Sequence, residues 1–313
     1  MSCIDHCSTS KRLKIDDLIG QGQFSNVYKH NVDSDTIARK QYKPRYKKYG
    51  KEEVKILQFL KDCSNIIDVL GFIDLGDSYS VLLPLYTYNL FVYTYDILGC
   101  DTKISFSNLK TVIISLLSGV SFMNKKGVTN TDIKLENILV NILPDGSLVV
   151  VISDFSSYII WDQEKDDYLN NYNITTLWYR SILTVANAKK TEMMYIEMWM
   201  LACIIYETYN KKPLFETIYF HTDSLQKQNL KLLEKIFQQL GFPSDIFMDK
   251  YFPQNKDKLR EKYGQYENMN SILYNELKNI MPYGNFIMNC LDYSNLNDNK
   301  PNEWLDFINM NCE

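Results

Sequence analysis

Residues 129–140 read TNTDIKLENILV, and residues 153–157 read SDFSS. The first stretch places Asp132, Lys134 and Asn137 on one short loop. A carboxylate can orient or deprotonate a hydroxyl. An ammonium can neutralise a phosphoryl group in flight, and an amide oxygen can ligate Mg²⁺. The second stretch sets Asp154 at the end of a very apolar strand, where a second metal-binding carboxylate is needed. Between the two, PDGS at 144–147 predicts a hairpin turn. Taken singly, each residue reads equally well as a cap or a turn. In this order and spacing, chance explains them poorly.

Upstream lies GQGQFSNV, residues 20–27. Gly20 and Gly22 sit in a strand–turn–strand and let a backbone approach a polyphosphate without Cβ obstruction. The plain alternative is a glycine hairpin. A dinucleotide fingerprint needs a helix directly afterwards, and a P-loop needs Gly-Lys-Ser/Thr; neither follows. Lys40 closes IARK on the next strand, two residues after Ala38. Most strand lysines are solvated edge residues. A helix is expected over 51–61, and its Glu53 could pair with Lys40 across the lobe. That pairing gains weight only from the loops downstream.

The pattern around these motifs changes along the chain. Residues 1–14 read as a loose tail, in which Lys11, Arg12 and Lys14 are a solvated run or a weak import signal. Short alternating segments from Ile15 predict strands, with two more over 66–73 and 79–83, the last ended by Pro84. Ser107 is a plausible N-cap for a buried helix reaching Lys125, with Leu109, Val112, Ile113, Leu116, Leu117, Val120 and Met123 on its apolar face. Residues 192–209, apolar almost all round, predict a core helix, and 224–241 predict an amphipathic one stopped by Gly241. The expectation is a β-rich lobe and an α-rich lobe joined near 84–88, where small cofactors often sit.

Composition narrows the function. The 313 residues are 45% hydrophobic with net charge −4, so a large core is expected and a nucleic-acid partner is not. Seven scattered Cys and three His give no zinc spacing. The odd Cys count fits a reducing, intracellular compartment, cytoplasm or nucleus. No run of 18 apolar residues marks a membrane span. The 28 Asn carry no functional weight.

With these residues in place, the sequence resembles the eukaryotic protein kinase family, on GQGQFSNV, IARK, Glu53, DIKLEN, and DFS where that family usually has DFG. TTLWYR (175–180), MWMLACIIYE (198–207), KKPLF (211–215) and LLEKIFQQLGFPSD (232–245) are similar to the cyclin-dependent and mitogen-activated (CMGC) Ser/Thr group. NTDIKLEN also resembles kinases of large DNA viruses. The resemblance implies an α+β, bilobal kinase fold over 15–310, with an N-lobe at 15–86 and a C-lobe at 87–310. It implies ATP and Mg²⁺ as cofactors. Nucleotide contacts would come from Gly20, Gly22, Val27, Ala38, Lys40, Leu83, Pro84 and Tyr86, with Glu53 anchoring Lys40. Asp132 would accept the substrate hydroxyl proton, Lys134 would steady the phosphoryl group, and Asn137 and Asp154 would hold Mg²⁺. Thr176 would contact Asp132 and Lys134 and mark Ser/Thr specificity.

The departures matter as much. Ser25 replaces the third loop glycine and Ser156 the DFG glycine. Asn130-Thr131 replaces His-Arg before Asp132, and Asn171 and Asn173 stand where a phosphorylated hydroxyl is usual. Ser181-Ile182-Leu183 replaces Ala-Pro-Glu, and Lys300 stands near the usual Arg partner of that Glu. Glu197 replaces an Asp and is expected to keep its charge. These changes point to activity without loop phosphorylation, with a catalytically weak kinase-like scaffold or regulator as the alternative. Protein substrates are expected. The basic stretch KPRYKKYGKEE (43–53) is a solvated face or a site for an acidic or phosphorylated partner, and no ordinary cyclin is expected to bind there.

Overall fold

Ala38, Lys40 and Tyr42 alternate with less buried neighbours, so one face of their strand turns inward. That strand is the third of a five-stranded sheet in the order β1-β2-β3-β5-β4. Its members are β1 (Asp17–Gln21), β2 (Ser25–Val32), β3 (Asp35–Tyr42), β4 (Gly71–Asp74) and β5 (Tyr79–Pro84). Helix α1 (Lys47–Phe59) crosses it and buries Gly50, Glu53, Val54 and Leu57, the spacing of a single helical face. This computed structural model describes residues 17–32, 35–99, 101–161, 175–186, 192–218, 220, 222–267, 271–280, 283–292 and 301–311. The N-terminal tail, Asp162–Asp167, Asn171–Asn173 and Lys300 lie outside them.

The chain then turns helical. After β6 (Tyr88–Asn89) come the short α2 (Leu90–Val92), α3 (Phe106–Lys125) and β7 (Val128–Asn130). A hairpin of β8 (Ile138–Ile142) and β9 (Leu148–Ile152) follows, then β10 (Tyr158–Ile160) and α4 (Ile182–Val185). The large helices are α5 (Met193–Asn210) and α6 (Leu225–Leu240), followed by α7 (Asp245–Tyr251), α8 (Lys256–Tyr263), α9 (Ser271–Leu277), α10 (Tyr283–Leu291) and α11 (Pro301–Asn311). The result is bilobal: a β-rich N-terminal region and an α-rich C-terminal one.

Three boundaries differ from the sequence expectation. Helix α1 starts a turn early, because Pro44 opens a 3₁₀ turn and Lys47 and Lys51 both reach Asp74, at 2.6 and 3.1 Å. Residues 66–70 are not strand. Ile66 makes one parallel bridge to Ile152, and Ile67 N–H donates to the Ile152 carbonyl at 2.9 Å, which ties the two lobes together. The cap of α3 is Ser105, whose hydroxyl accepts from Asn108 N–H at 3.2 Å, and not Ser107. Among the described residues, α3 is the one helix long and apolar enough to cross a membrane, which the sequence did not anticipate. Here it packs against β9, α5 and α11.

Helix α5 runs through the core, and its Glu197 is fully buried. The carboxylate accepts from Asn124 Nδ2 at 2.5 Å, Asn130 N–H at 3.2 Å and Thr129 Oγ1 at 3.4 Å, none of them charged. Burial pushes its pKa up to about 8. The expectation that Glu197 keeps its charge is therefore corrected: desolvation outweighs three neutral donors, and the group is mostly protonated at neutral pH. Because the folded state holds this proton more tightly, the stabilisation is complete below the ordinary 4.5 and declines as pH rises toward about 8. Glu197→Gln is expected to flatten the decline in melting temperature between those limits. Equal pH slopes in the two proteins would assign the titration elsewhere.

Candidate active site

The β8–β9 ladder pairs Ile138 with Ile152, so the residues just outside it, Asn137 and Ser153, face each other. Ser153 N–H and Oγ both donate to the Asn137 carbonyl at 2.8 Å. This register brings Asn137 beside Asp154. Asp154 takes φ 56°, a left-handed conformation that short polar side chains tolerate better than most. Its turn sends Phe155 into the core and its own carboxylate toward β3.

Lys40 Nζ meets Glu53 Oε1 at 2.7 Å and Asp154 Oδ1 at 2.8 Å. Burial works against the ammonium, but the Asp154 and Glu53 carboxylates outweigh it and hold the Lys40 pKa well above the usual lysine range. Burial also opposes the Asp154 charge, yet Lys40 and the Ser156 N–H hold that carboxyl at about 2. Phe155 N–H donates to Glu53 Oε1 at 3.1 Å, so the carboxylate on α1 reads the backbone after Asp154 as well.

A second cluster is linked to this one through Asn130, which bonds the backbone of both Asp132 and Asp154. Thr176 Oγ1 donates to Asp132 Oδ1 at 2.7 Å, Lys134 Nζ to Asp132 Oδ2 at 2.7 Å, and Lys134 Nζ to Thr176 Oγ1 at 3.0 Å. Asn137 Nδ2 donates to the Asp132 carbonyl at 2.8 Å. The amide thus locks the loop with its nitrogen, and its oxygen enters no hydrogen bond among the described residues. Of the expected nucleotide contacts, Val27 lies opposite Lys40 across β2 and β3, while Ala38 lies opposite Leu83 and Ile37 opposite Pro84 across β3 and β5. Tyr86 follows directly, half-buried against the core. Neither Gly20 nor Gly22 has a positive φ, and a Cβ there would come no nearer than 3.6 and 3.4 Å to its own chain. Internal packing therefore leaves room for a Cβ at Gly20 and only just at Gly22.

The departures have structural consequences. Asn130, where the sequence reading saw a lost histidine, is fully buried and bonds in two directions. Its Oδ1 accepts from Asp132 N–H at 2.9 Å and its Nδ2 donates to the Asp154 carbonyl at 3.2 Å. Thr131 Oγ1 lies 2.7 Å from Ser157 Oγ, and β7 pairs antiparallel with β10. At the far end of the segment, Tyr179 donates to Glu207 at 2.8 Å and Arg180 binds Asn229 Oδ1 at 2.6 Å. Thr175 is buried and accepts from Arg180 Nε at 3.2 Å. Leu183 is buried with no exposed area. The basic stretch is also engaged: Lys43 Nζ donates to the Gly22 and Gln23 carbonyls at 2.9 and 3.1 Å, and Arg45 lies 4.6 Å over the Tyr46 ring. Sequence reasoning missed Tyr42, whose hydroxyl donates to Glu53 Oε2 at 2.7 Å. Its only sequence signal is the spacing of two from Lys40.

The protein kinase domain family matches residues 13–293. A probable serine/threonine-protein kinase of Arabidopsis thaliana is 28% identical over 75% of this chain and 39% of its own length. A probable cell division protein kinase of Encephalitozoon cuniculi is 29% identical over 63% of this chain and 71% of its own. The CTD kinase subunit alpha of Schizosaccharomyces pombe is 27% identical over 72% of this chain and 36% of its own. The chain thus spans well under half of the first and third of these relatives. A match over most of the chain, on a bilobal fold with these two linked clusters, means that the chain belongs to the protein kinase family.

Proposed function

We propose that the chain is a serine/threonine protein kinase of the cyclin-dependent and mitogen-activated group, transferring the γ-phosphate of ATP with Mg²⁺ to protein hydroxyls. The observation that carries this reading is the Thr176 hydroxyl held between Asp132 and Lys134, at 2.7 and 3.0 Å. The donor set suits a hard cation: the Asn137 amide oxygen and the Asp154 carboxylate are oxygen ligands. The open glycine turn suits a polyphosphate. Bound Mg-ATP supplies the electrophilic phosphoryl group and the charge that polarises it.

The residues divide the remaining work. Lys40, kept charged and aimed by Glu53, orients the phosphates. Asp132 aligns the substrate hydroxyl and takes its proton, and Lys134 offsets charge on the phosphoryl oxygens. Asn130 keeps the Asp132 and Asp154 loops in register. The segment after Asp154 is held at its two described ends by contacts within the chain, Thr131–Ser157 and Tyr179–Glu207. We therefore propose that no phosphate is needed to order it. The stretch 43–53 is basic and aromatic, and on that ground we propose that no ordinary cyclin binds there. Leu183 in place of an anion favours the second reading, a scaffold that binds nucleotide without transferring phosphate.

Asp132→Asn is expected to lower phosphate transfer by about 10²–10⁴-fold while nucleotide affinity stays near wild type. Asp154→Asn is expected to lose Mg-dependent transfer. Initial rates at saturating Mg-ATP and calorimetric binding check both, and near-normal transfer by the two variants would sink the assignment. A thermal shift with Mg-ATP but no transfer to any of a panel of proteins would favour the scaffold. Protein made in bacteria is expected to keep its rate after phosphatase treatment. A loss beyond about tenfold, roughly 1.4 kcal/mol of barrier, would mean that a phosphate does order the enzyme.

A further inference from the structure

We propose that Tyr42 is a positioning residue for phosphate transfer: its hydroxyl fixes the outer oxygen of Glu53, its ring underlies Lys40, and Gly50 lets α1 approach closely enough for both contacts. The proposal rests on the kinase reading of Lys40 and Glu53. Lys40 and Tyr42 are two apart on β3 and so point to the same side. Lys40 Nζ lies 5.3 Å from the Tyr42 ring centroid, within cation–π range. Lys40 takes Glu53 Oε1 at 2.7 Å, and Tyr42 donates to Oε2 at 2.7 Å. Each carboxylate oxygen has its own donor, so the carboxylate is held against rotation as well as translation.

Gly50 makes this possible. It lies on α1 one turn before Glu53. A Cβ there would fall 2.6 Å from Tyr42 Cδ2 and 2.7 Å from Tyr79 Cδ1. These are ring atoms of fully packed tyrosines, 1% and 4% exposed, so they have little freedom to yield. Glycine costs a helix about 1 kcal/mol relative to alanine. Here that cost is offset by an approach that no other residue permits. Burial, followed by the Glu53 carboxylate, raises the Tyr42 phenol well above the usual range, so it stays a donor across the working pH.

The test is a double-mutant cycle on the full chain with Tyr42→Phe and Glu53→Met. Methionine fills the space of glutamate and accepts no strong hydrogen bond. Transfer rate and urea unfolding midpoint are read for all four proteins. In the wild-type background, Tyr42→Phe leaves a buried carboxylate oxygen without its donor. It is expected to slow transfer about tenfold and to lower the midpoint. In the Glu53→Met background the hydroxyl has lost its acceptor. The same change is then expected to alter transfer less than twofold and to leave the midpoint unchanged or higher. Equal effects in both backgrounds would reduce Tyr42 to packing and overturn the proposal, as would wild-type transfer by Tyr42→Phe. Gly50→Ala carries the test independently should Tyr42→Phe not fold. It is expected to slow transfer at least tenfold despite its better helix propensity, and an unchanged rate would overturn the proposal. If no protein in the set transfers phosphate, the kinase reading fails. The midpoints then decide the Tyr42–Glu53 coupling by themselves.

Discussion

One ammonium joins the two halves of this molecule. Lys40 comes from the sheet, Glu53 from the helix that crosses it, and Asp154 from the turn after the β8–β9 hairpin. None of the three is well placed without the others. A buried lysine is costly unless its charge is matched, and here two carboxylates match it from different elements. The geometry of α1, the left-handed turn at Asp154 and the inward face of β3 are all conditions for that one contact. Tyr42 and the backbone N–H of Phe155 complete the shell around Glu53, so its carboxylate has no idle oxygen.

Around the Asp132 loop, several supporting contacts are made by uncharged side chains. Where its family relies on arginine, histidine and aspartate, the Asp132 loop is supported by Asn130, Thr131 and a Glu197 that burial pushes toward its protonated form. Neutral hydrogen bonds need less desolvation than ion pairs, which suits residues as buried as these. The substitutions are mutually consistent. A hydroxyl faces a hydroxyl at Thr131 and Ser157, and uncharged donors face Glu197, whose pKa burial raises. The altered motifs therefore read as one coordinated change of chemistry and not as separate losses.

Much of the site was legible because its residues sit in short runs. Asp132, Lys134 and Asn137 occupy six consecutive positions, and Asp154 follows a strand of five apolar or β-branched residues. The order of those runs also made the two lobes readable. Tyr42 was hidden because a strand tyrosine looks like ordinary alternation, and its partner lies 11 residues away on a helix. Asn130 was read as an absence because its value lies in two bonds made by loops 24 residues apart, one of them through a backbone carbonyl. The state of Glu197 depends on complete burial, which composition does not reveal. The first turn of α1 carries Gly50, a poor helix former by itself, whose missing side chain is what the packing against Tyr42 and Tyr79 requires.

The Thr131–Ser157 contact has a consequence for solution behaviour. A loop clamped by phosphate on arginine is held by opposite charges, and such attraction weakens as dissolved ions gather around it; at 0.15 M the screening length is already only about 8 Å. Two hydroxyls and a short antiparallel ladder carry no net charge for ions to screen. These contacts at the described start of the segment are therefore expected to change little between dilute and concentrated salt.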